Sequence, residues 1–77
     1  MAHTRTQGGM WLRQARINAG LSIPEAARAR GCSVSTVKKW EHVGVPGGTT
    51  TGMVIACAQA YRVSADDMLA HTDTSAW

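Results

Sequence analysis

The stretch from Ser22 to Glu41 constrains the fold more than any other part of the chain, because it carries start and stop signals for two short helices in succession. Glu25 follows Ser22 at the spacing of a capping box, in which each side chain bonds a backbone N–H of the other residue. Gly31 favours the left-handed backbone angles that end a helix. Ser33 is a good N-cap for a second helix that we expect to end at about residue 41 or 42. The stretch therefore predicts a helix, a tight turn and a second helix.

Apolar residues at helical spacing indicate which side of each helix is buried. In the first helix of the stretch, Ala26, Ala27 and Arg30 lie on or near one face, and the two alanines would let a neighbouring helix approach closely. In the second helix, Val37 and Trp40 are three positions apart and share a buried stripe. This phase leaves a basic and mostly polar set pointing to solvent: Val34, Ser35, Lys38 and Lys39.

Three further helices are expected outside this stretch, which makes the predicted fold all-α with five short helices. One runs from about Gly9 to Ala19, and a short one begins after the capping residue Ser64. The third runs from about Thr51 to Tyr61 and is capped by Thr50 or Thr51. Its apolar residues follow the i, i+3, i+4, i+7 pattern of a core-facing stripe: Val54, Cys57, Ala58 and Tyr61.

Composition excludes several classes of protein. A chain of 77 residues forms one small domain. Its net charge of +3 and pI of about 9.4 favour a polyanionic partner, and four of its eight Lys and Arg residues lie within residues 28–39. Cys32 and Cys57 lack metal-binding spacing and are expected to be free thiols, so we predict no metal and no cofactor. With no signal peptide and no membrane-spanning stretch, we predict a cytoplasmic protein that does not bind membranes.

No catalytic constellation stands out in the sequence. His3, His42 and His71 are expected in an N-terminal arm, a loop and a C-terminal tail. None of them has a cysteine or a carboxylate at the spacing of a metal site or a nucleophile pair. The adjacent Asp66 and Asp67 are explained by the favourable position of negative charge near a helix N-terminus. We therefore predict that the protein is not an enzyme.

The two ends of the chain differ from its middle. Residues 1–8 are polar without periodicity and are expected to form a flexible arm, residues 9–70 form the domain, and residues 71–77 form a tail. Trp77 in that tail is either disordered or in contact with a crystal neighbour or a partner subunit. Trp11 is exposed by its helical phase, and it is a candidate either for a dimer contact or for a lid over the core.

This pattern resembles the lambda-repressor/Cro family of helix-turn-helix DNA-binding proteins, also called the XRE type. The resemblance covers about residues 10–70, and it implies a lambda-repressor-like domain whose helix-turn-helix occupies about residues 22–42. The residues that carry it are Leu12, Arg16, Leu21, Glu25, Ala27, Gly31, Ser33, Thr36, Val37, Trp40, Glu41, Val54, Ala58, Ala60, Tyr61, Val63, Ser64, Asp66 and Leu69.

The resemblance also implies roles for individual residues on double-stranded DNA. Side chains at the start of the second motif helix would read base edges in the major groove: Ser33, Val34, Ser35, Lys38 and Lys39. Lys38 also suits a phosphate contact. A second set would contact the DNA phosphates: Ser22, Arg13, Arg28, Thr36 and His42. Arg16 and Glu41 would form a bidentate ion pair that locks the first helix against the third.

The sequence departs from the family at positions that matter for phosphate contacts. Val43 stands where a glycine is usual, and the loop that follows has no Lys or Arg up to residue 52. Ile23 stands where the family often has a glutamine that contacts phosphate. Arg30 replaces a usual aliphatic residue, so its stem is expected to pack while its head reaches either water or phosphate.

Arg5 in the N-terminal arm is expected either to be disordered or to contact a DNA phosphate.

The function that the resemblance implies is sequence-specific transcriptional regulation. We expect a small repressor of the Cro kind, from a phage or a plasmid, that binds a pseudo-palindromic operator as a homodimer without a small-molecule ligand. An antitoxin or a restriction-modification controller protein of the same fold is one alternative. A module that binds an acidic protein through the lysine-bearing helix is another, and the thin set of phosphate contacts favours it.

Overall fold

The structure is a computed structural model that describes residues 6–71. Residues 1–5 and 72–77 lie outside it, so the expectations for Arg5 and Trp77 concern residues that are not described. The described chain folds into five α-helices without strands, which confirms the predicted all-α fold: α1 (Gln7–Asn18), α2 (Ile23–Arg30), α3 (Val34–Val43), α4 (Thr51–Tyr61) and α5 (Ala65–His71). Across residues 6–71, no helix has both the length and the apolar character needed to cross a membrane.

The predicted helix-turn-helix is present and has the predicted caps. The Glu25 N–H donates to Ser22 Oγ at 3.2 Å, and the Ser22 N–H donates to Glu25 Oε1 at 2.8 Å, which completes the capping box of α2. Gly31 ends α2 with a left-handed φ of 71°. Ser33 Oγ accepts from the Thr36 N–H at 3.1 Å and caps α3. Local capping chemistry therefore defines both ends of the turn.

Helix α1 begins at Gln7, two residues before the predicted start. Thr6 is its N-cap, and Thr6 Oγ1 accepts from the Gly9 N–H at 2.9 Å. Gly9 is a poor helix former, but a Cβ at this position would lie 2.6 Å from the carbonyl oxygen of Glu41. The glycine is therefore required by the close crossing of α1 and α3, and this contact between distant segments outweighs the local helix propensity.

Helix α3 continues to Val43, one residue beyond the predicted end. The glycine that ends it, Gly44, comes one position later than in the family pattern and has a φ of 82°. The Gly44 N–H donates to the Trp40 carbonyl oxygen at 2.9 Å. His42 therefore belongs to α3, which corrects its predicted place in a loop. Val45, which follows Gly44, is 2% exposed and packs into the core from the loop. The sequence pattern did not predict Val45 as a core residue.

The core lies among all five helices, each of which contributes at least one buried apolar side chain. Ala26 and Ala27 on α2 are buried, and their small side chains let both neighbouring helices pack against this face. Trp11 is half-buried, and its ring stacks on the ring of His71 with centroids 5.3 Å apart and an interplanar angle of 7°. Trp11 therefore forms a lid between α1 and α5. His71 ends α5, which corrects its predicted place in a tail.

A buried ion pair joins α1 to α3. Arg16 Nε donates to Glu41 Oε2 at 2.5 Å, and Arg16 Nη2 donates to Glu41 Oε1 at 3.2 Å. Arg16 Nη1 also donates to the Leu21 carbonyl oxygen at 2.8 Å. The hydrogen bonds to Glu41 raise the pKa of the Arg16 guanidinium above its ordinary value. The structure thus brings together the two residues for which the family resemblance implied a pair, and the pair fixes α3 against α1.

Candidate nucleic-acid interface

Helix α3 has an exposed face and a buried face. The buried side consists of Val37, Trp40 and Glu41, and we call it the inner face. The opposite side, the outer face, consists of exposed residues: Val34, Ser35, Lys38, Lys39 and His42. The inner face thus packs the helix against the core. Four of the five base-reading residues that the resemblance implied lie on the outer face.

The lysines of the outer face have no carboxylate partner among the described residues. The Arg16–Glu41 pair is the only salt bridge within residues 6–71, and it lies in the core. Lys38 and Lys39 are both exposed. Their charges are therefore available to an external anion and are not neutralised by a carboxylate of the described chain.

The start of α3 contains two side chains that bond to each other. Ser33 Oγ, the N-cap oxygen, lies 3.0 Å from Thr36 Oγ1 in addition to accepting the Thr36 N–H. Ser33 therefore holds the helix start, and the first exposed side chains beyond the cap are Val34 and Ser35. Ser35 and Lys39 are one helical turn apart, so they lie on the same side of the outer face.

The N-terminus of α2 has few backbone N–H groups free for an external phosphate. The N–H groups of Ser22 and Glu25 are taken by the capping box, and Pro24 has no N–H. Hydrogen bonds from the Ser22 backbone and side chain lower the pKa of the Glu25 carboxyl, which keeps a negative charge at this end of the helix. Only the Ile23 N–H at the helix start remains for a phosphate.

Two further exposed arginines lie on the helices that pack against α3. Arg28 on α2 and Arg13 on α1 are exposed. The Arg28 charge contributes to the lowered pKa of the Glu25 carboxyl. The described residues thus place two exposed lysines on α3 and one exposed arginine on each of α1 and α2.

The loop after α3 adds no charge, and two of its hydroxyls are already engaged. Thr49 Oγ1 donates to the Pro46 carbonyl oxygen at 2.5 Å. Thr50 Oγ1 accepts from the Met53 N–H at 3.3 Å as the N-cap of α4. The Thr49 hydroxyl hydrogen is therefore used within the loop, whereas the Thr50 hydroxyl, like that of Ser22, keeps its own hydrogen.

Arg30 does not belong to the exposed surface, although it is only two residues from Arg28. It is 8% exposed, and its Cζ lies 4.2 Å from the centroid of the Trp40 ring. Its Nη1 donates to the Tyr61 hydroxyl at 3.2 Å. The expectation that its head reaches water or phosphate was wrong, because two aromatic rings from α3 and α4 enclose it. The signal in the sequence was its place on the same face as Ala26 and Ala27.

Comparison with known proteins agrees with this arrangement. A family model described as a helix-turn-helix domain matches residues 9–71, which is most of the chain. No curated protein and no solved structure matches the chain significantly. The matched range begins in the first turn of α1 and ends at the last residue of α5, so the family pattern includes all five helices.

Proposed function

Because the chain belongs to the helix-turn-helix domain family, which is of the XRE or lambda-repressor-like type, we propose that it is a sequence-specific transcriptional repressor of the Cro kind. One observation carries the proposal. The outer face of α3 bears two lysines without a carboxylate partner in the described chain, while the inner face is fixed by the core. A helix held in this way can enter the major groove as a rigid reading surface.

Base reading is assigned to three residues of the outer face. Lys39 is long enough to donate to guanine O6 and N7, and the Ser35 hydroxyl both donates and accepts. Val34 is 37% exposed, which leaves its methyl groups available to a thymine methyl. Ser33 supports these contacts by holding the start of α3.

Phosphate contacts are assigned to four cationic or titratable side chains and two hydroxyls: Arg13, Arg28, Lys38, His42, Ser22 and Thr36. The Ser22 hydroxyl accepts a hydrogen bond from the Glu25 N–H, yet it keeps its own hydrogen for a phosphate oxygen. Thr36 is half-buried and its hydroxyl bonds to the N-cap residue Ser33, so this hydroxyl is less accessible to a phosphate. The cationic residues therefore supply most of the affinity, and that affinity depends on salt.

A homodimer is the form that we propose on DNA. A single helix-turn-helix covers one half-site, and a two-fold dimer covers two half-sites about 34 Å apart, which is one helical turn of DNA. Such a dimer binds a pseudo-palindromic operator. Occupancy of that operator would repress transcription by excluding other proteins from it.

Selection of bound duplexes from a random pool tests this proposal. We expect enrichment of one sequence motif that is repeated in inverted orientation at a spacing of about one helical turn. Enrichment of a single half-site without symmetry would contradict the dimer. No enrichment at all would contradict sequence-specific binding.

A second candidate function follows from the weak phosphate-binding features. The capping box occupies the N-terminus of α2, and the loop after α3 has no cation. Both features suit a module that binds an acidic protein surface through Lys38 and Lys39. The random-pool selection separates the two candidates, because such a module would enrich no DNA sequence.

A further inference from the structure

Two arginines of α2 lie in opposite environments. Arg28 is exposed, whereas Arg30 is 8% exposed and lies between α2, α3 and α4. The two residues have the same side chain and are two positions apart, so the difference between them comes from the helix face that each occupies. Only Arg28 is placed to meet an external phosphate.

A buried guanidinium needs compensating contacts, and Arg30 finds them on aromatic rings. Within residues 6–71 it has no carboxylate partner, because the Glu41 carboxylate is bound by Arg16 through both of its oxygens. The Arg30 Cζ lies 4.2 Å from the Trp40 ring centroid and 5.6 Å from the Tyr61 ring centroid. Cation–π attraction and the hydrogen bond to the Tyr61 hydroxyl offset the desolvation of the charge.

The contact with Trp40 acts on the helix that carries the proposed base readers. Trp40 belongs to the inner face of α3, and its neighbour Lys39 belongs to the outer face. The Arg30 guanidinium lies over the Trp40 ring and restrains its position, so it opposes rotation of α3 about its axis. A small rotation of α3 would move Ser35 and Lys39 relative to base edges, while exposed phosphate contacts adapt more easily.

We infer that Arg30 is a positioning residue for DNA reading, which sets the orientation of α3 through Trp40 and is anchored on α4 by the Tyr61 hydroxyl. Arg30 itself touches no DNA. The inference rests on the proposed function, and it makes α4 part of the reading apparatus although α4 carries no proposed DNA contact.

Methionine substitutions at the two arginines of α2 test the inference with a matched control. The affinity of the full chain is measured for the selected duplex and for a scrambled duplex, at a temperature at which every variant is folded. We expect Arg30→Met to lower the ratio of the two affinities by about tenfold and to leave the salt dependence unchanged. We expect Arg28→Met to lower both affinities equally and to reduce the slope of log K against log salt by about 0.9.

Two further variants keep the test informative if Arg30→Met does not fold. Tyr61→Phe removes only the hydroxyl that anchors Arg30, and we expect it to lower the affinity ratio by about threefold. Arg30→Lys keeps the charge over the ring but loses the planar fork, so we expect a ratio between those of the wild type and Arg30→Met. Near-ultraviolet circular dichroism without DNA sums over the three tryptophans and Tyr61, and we expect Arg30→Met to change it because Arg30 contacts both Trp40 and Tyr61.

The outcomes distinguish the inference from the proposed function. If the wild type prefers the selected duplex and Arg30→Met keeps that preference in full, the positioning role is overturned. An equal loss on both duplexes for Arg30→Met would also overturn it, because Arg30 would then act as a phosphate contact. A wild-type protein without any preference would defeat the proposed function, and the positioning role with it.

Discussion

The inner and outer faces of α3 differ in how their polar groups are satisfied. On the inner face, Glu41 receives two hydrogen bonds from Arg16, and the Trp40 ring receives the Arg30 guanidinium. On the outer face, Lys38 and Lys39 have no carboxylate partner in the described part of the chain. One helix of 10 residues therefore has a face that stabilises the fold and a face that we propose for recognition. Substitutions on the two faces should affect different measurements.

The largest expected effect belongs to the inner face. Glu41→Gln keeps the shape of the side chain but leaves Arg16 as a buried charge without a counter-charge, so we expect a loss of about 3 to 5 kcal/mol in the free energy of unfolding. Urea denaturation followed by circular dichroism measures this loss. The double variant Arg16→Met/Glu41→Leu should recover part of it, because no buried charge then remains. A double variant less stable than Glu41→Gln would argue against this explanation.

The crossing of α1 and α3 should show the next largest effect. Gly9→Ala places a Cβ 2.6 Å from the Glu41 carbonyl oxygen, and the two backbones must move apart at a cost of about 1 to 3 kcal/mol. Gly52→Ala is the matched control, because Gly52 also lies in a helix and a Cβ there meets nothing within 4 Å. We expect that control to stabilise the protein by about 0.4 to 1 kcal/mol. Losses of similar size at both glycines would contradict the close crossing.

The outer face should respond in binding and not in stability. Lys39→Ala should weaken binding to the selected duplex by about 1 to 3 kcal/mol relative to a scrambled duplex. Its free energy of unfolding should stay within about 0.5 kcal/mol of the wild-type value, because the side chain is exposed. Fluorescence anisotropy with both duplexes measures the first quantity, and urea denaturation measures the second. Equal losses on both duplexes would mean that Lys39 contacts only phosphate.

A smaller effect, a dependence of the free energy of unfolding on pH, should come from the buried thiol of Cys57. Burial raises the pKa of Cys57 from 9.0 to about 11. The unfolded chain therefore loses its thiol proton first, so the stability from Cys57 is complete below about pH 9 and is lost as pH rises to about 11. At pH 10 the loss is about 1 kcal/mol. Burial of Tyr61 raises its pKa as well and adds to the loss above pH 10.

Alanine substitutions at the two cysteines check this origin. Cys57→Ala should remove the part of the alkaline destabilisation that comes from the thiol, while any cost of the smaller side chain stays constant with pH. Cys32→Ala is the matched control, because it removes a thiol that is only partly buried. Unfolding curves at pH 8 and pH 10 are sufficient for the comparison. Identical pH dependence in the two variants would assign the effect to other groups.

Local signals in the sequence were enough to predict most of the helices. Side-chain oxygens at Ser22, Ser33, Thr50 and Ser64 cap the helices at the predicted places, because an N-cap depends only on residues within one turn. The all-α class and the two faces of α3 followed from spacing in the same way. Chain segments that meet only in the folded state gave no such signal.

Three features depend on contacts between distant segments and could not be predicted from spacing. Position 9 of α1 requires a glycine because α1 meets the Glu41 backbone closely. Val45 is a lone apolar residue in a glycine-rich loop, so no periodicity marked it as core. Arg30 stacks on Trp40 and bonds to Tyr61, which is 31 positions away in the sequence. For the site, spacing predicted which side chains of α3 are exposed and that Ser22 and Ser33 cap their helices, but it missed the aromatic rings that enclose Arg30.

The salt dependence of DNA binding tests the central claim most directly, namely that the outer face of α3 reads DNA between flanking phosphate contacts. The affinity of the full chain is measured for the selected duplex and a scrambled duplex over a range of salt concentrations. With Arg13, Arg28 and Lys38 on phosphates, log K should fall against log salt with a slope of roughly −3 per protomer, and the selected duplex should bind more tightly at every concentration. A flat salt dependence together with equal affinities would contradict the claim.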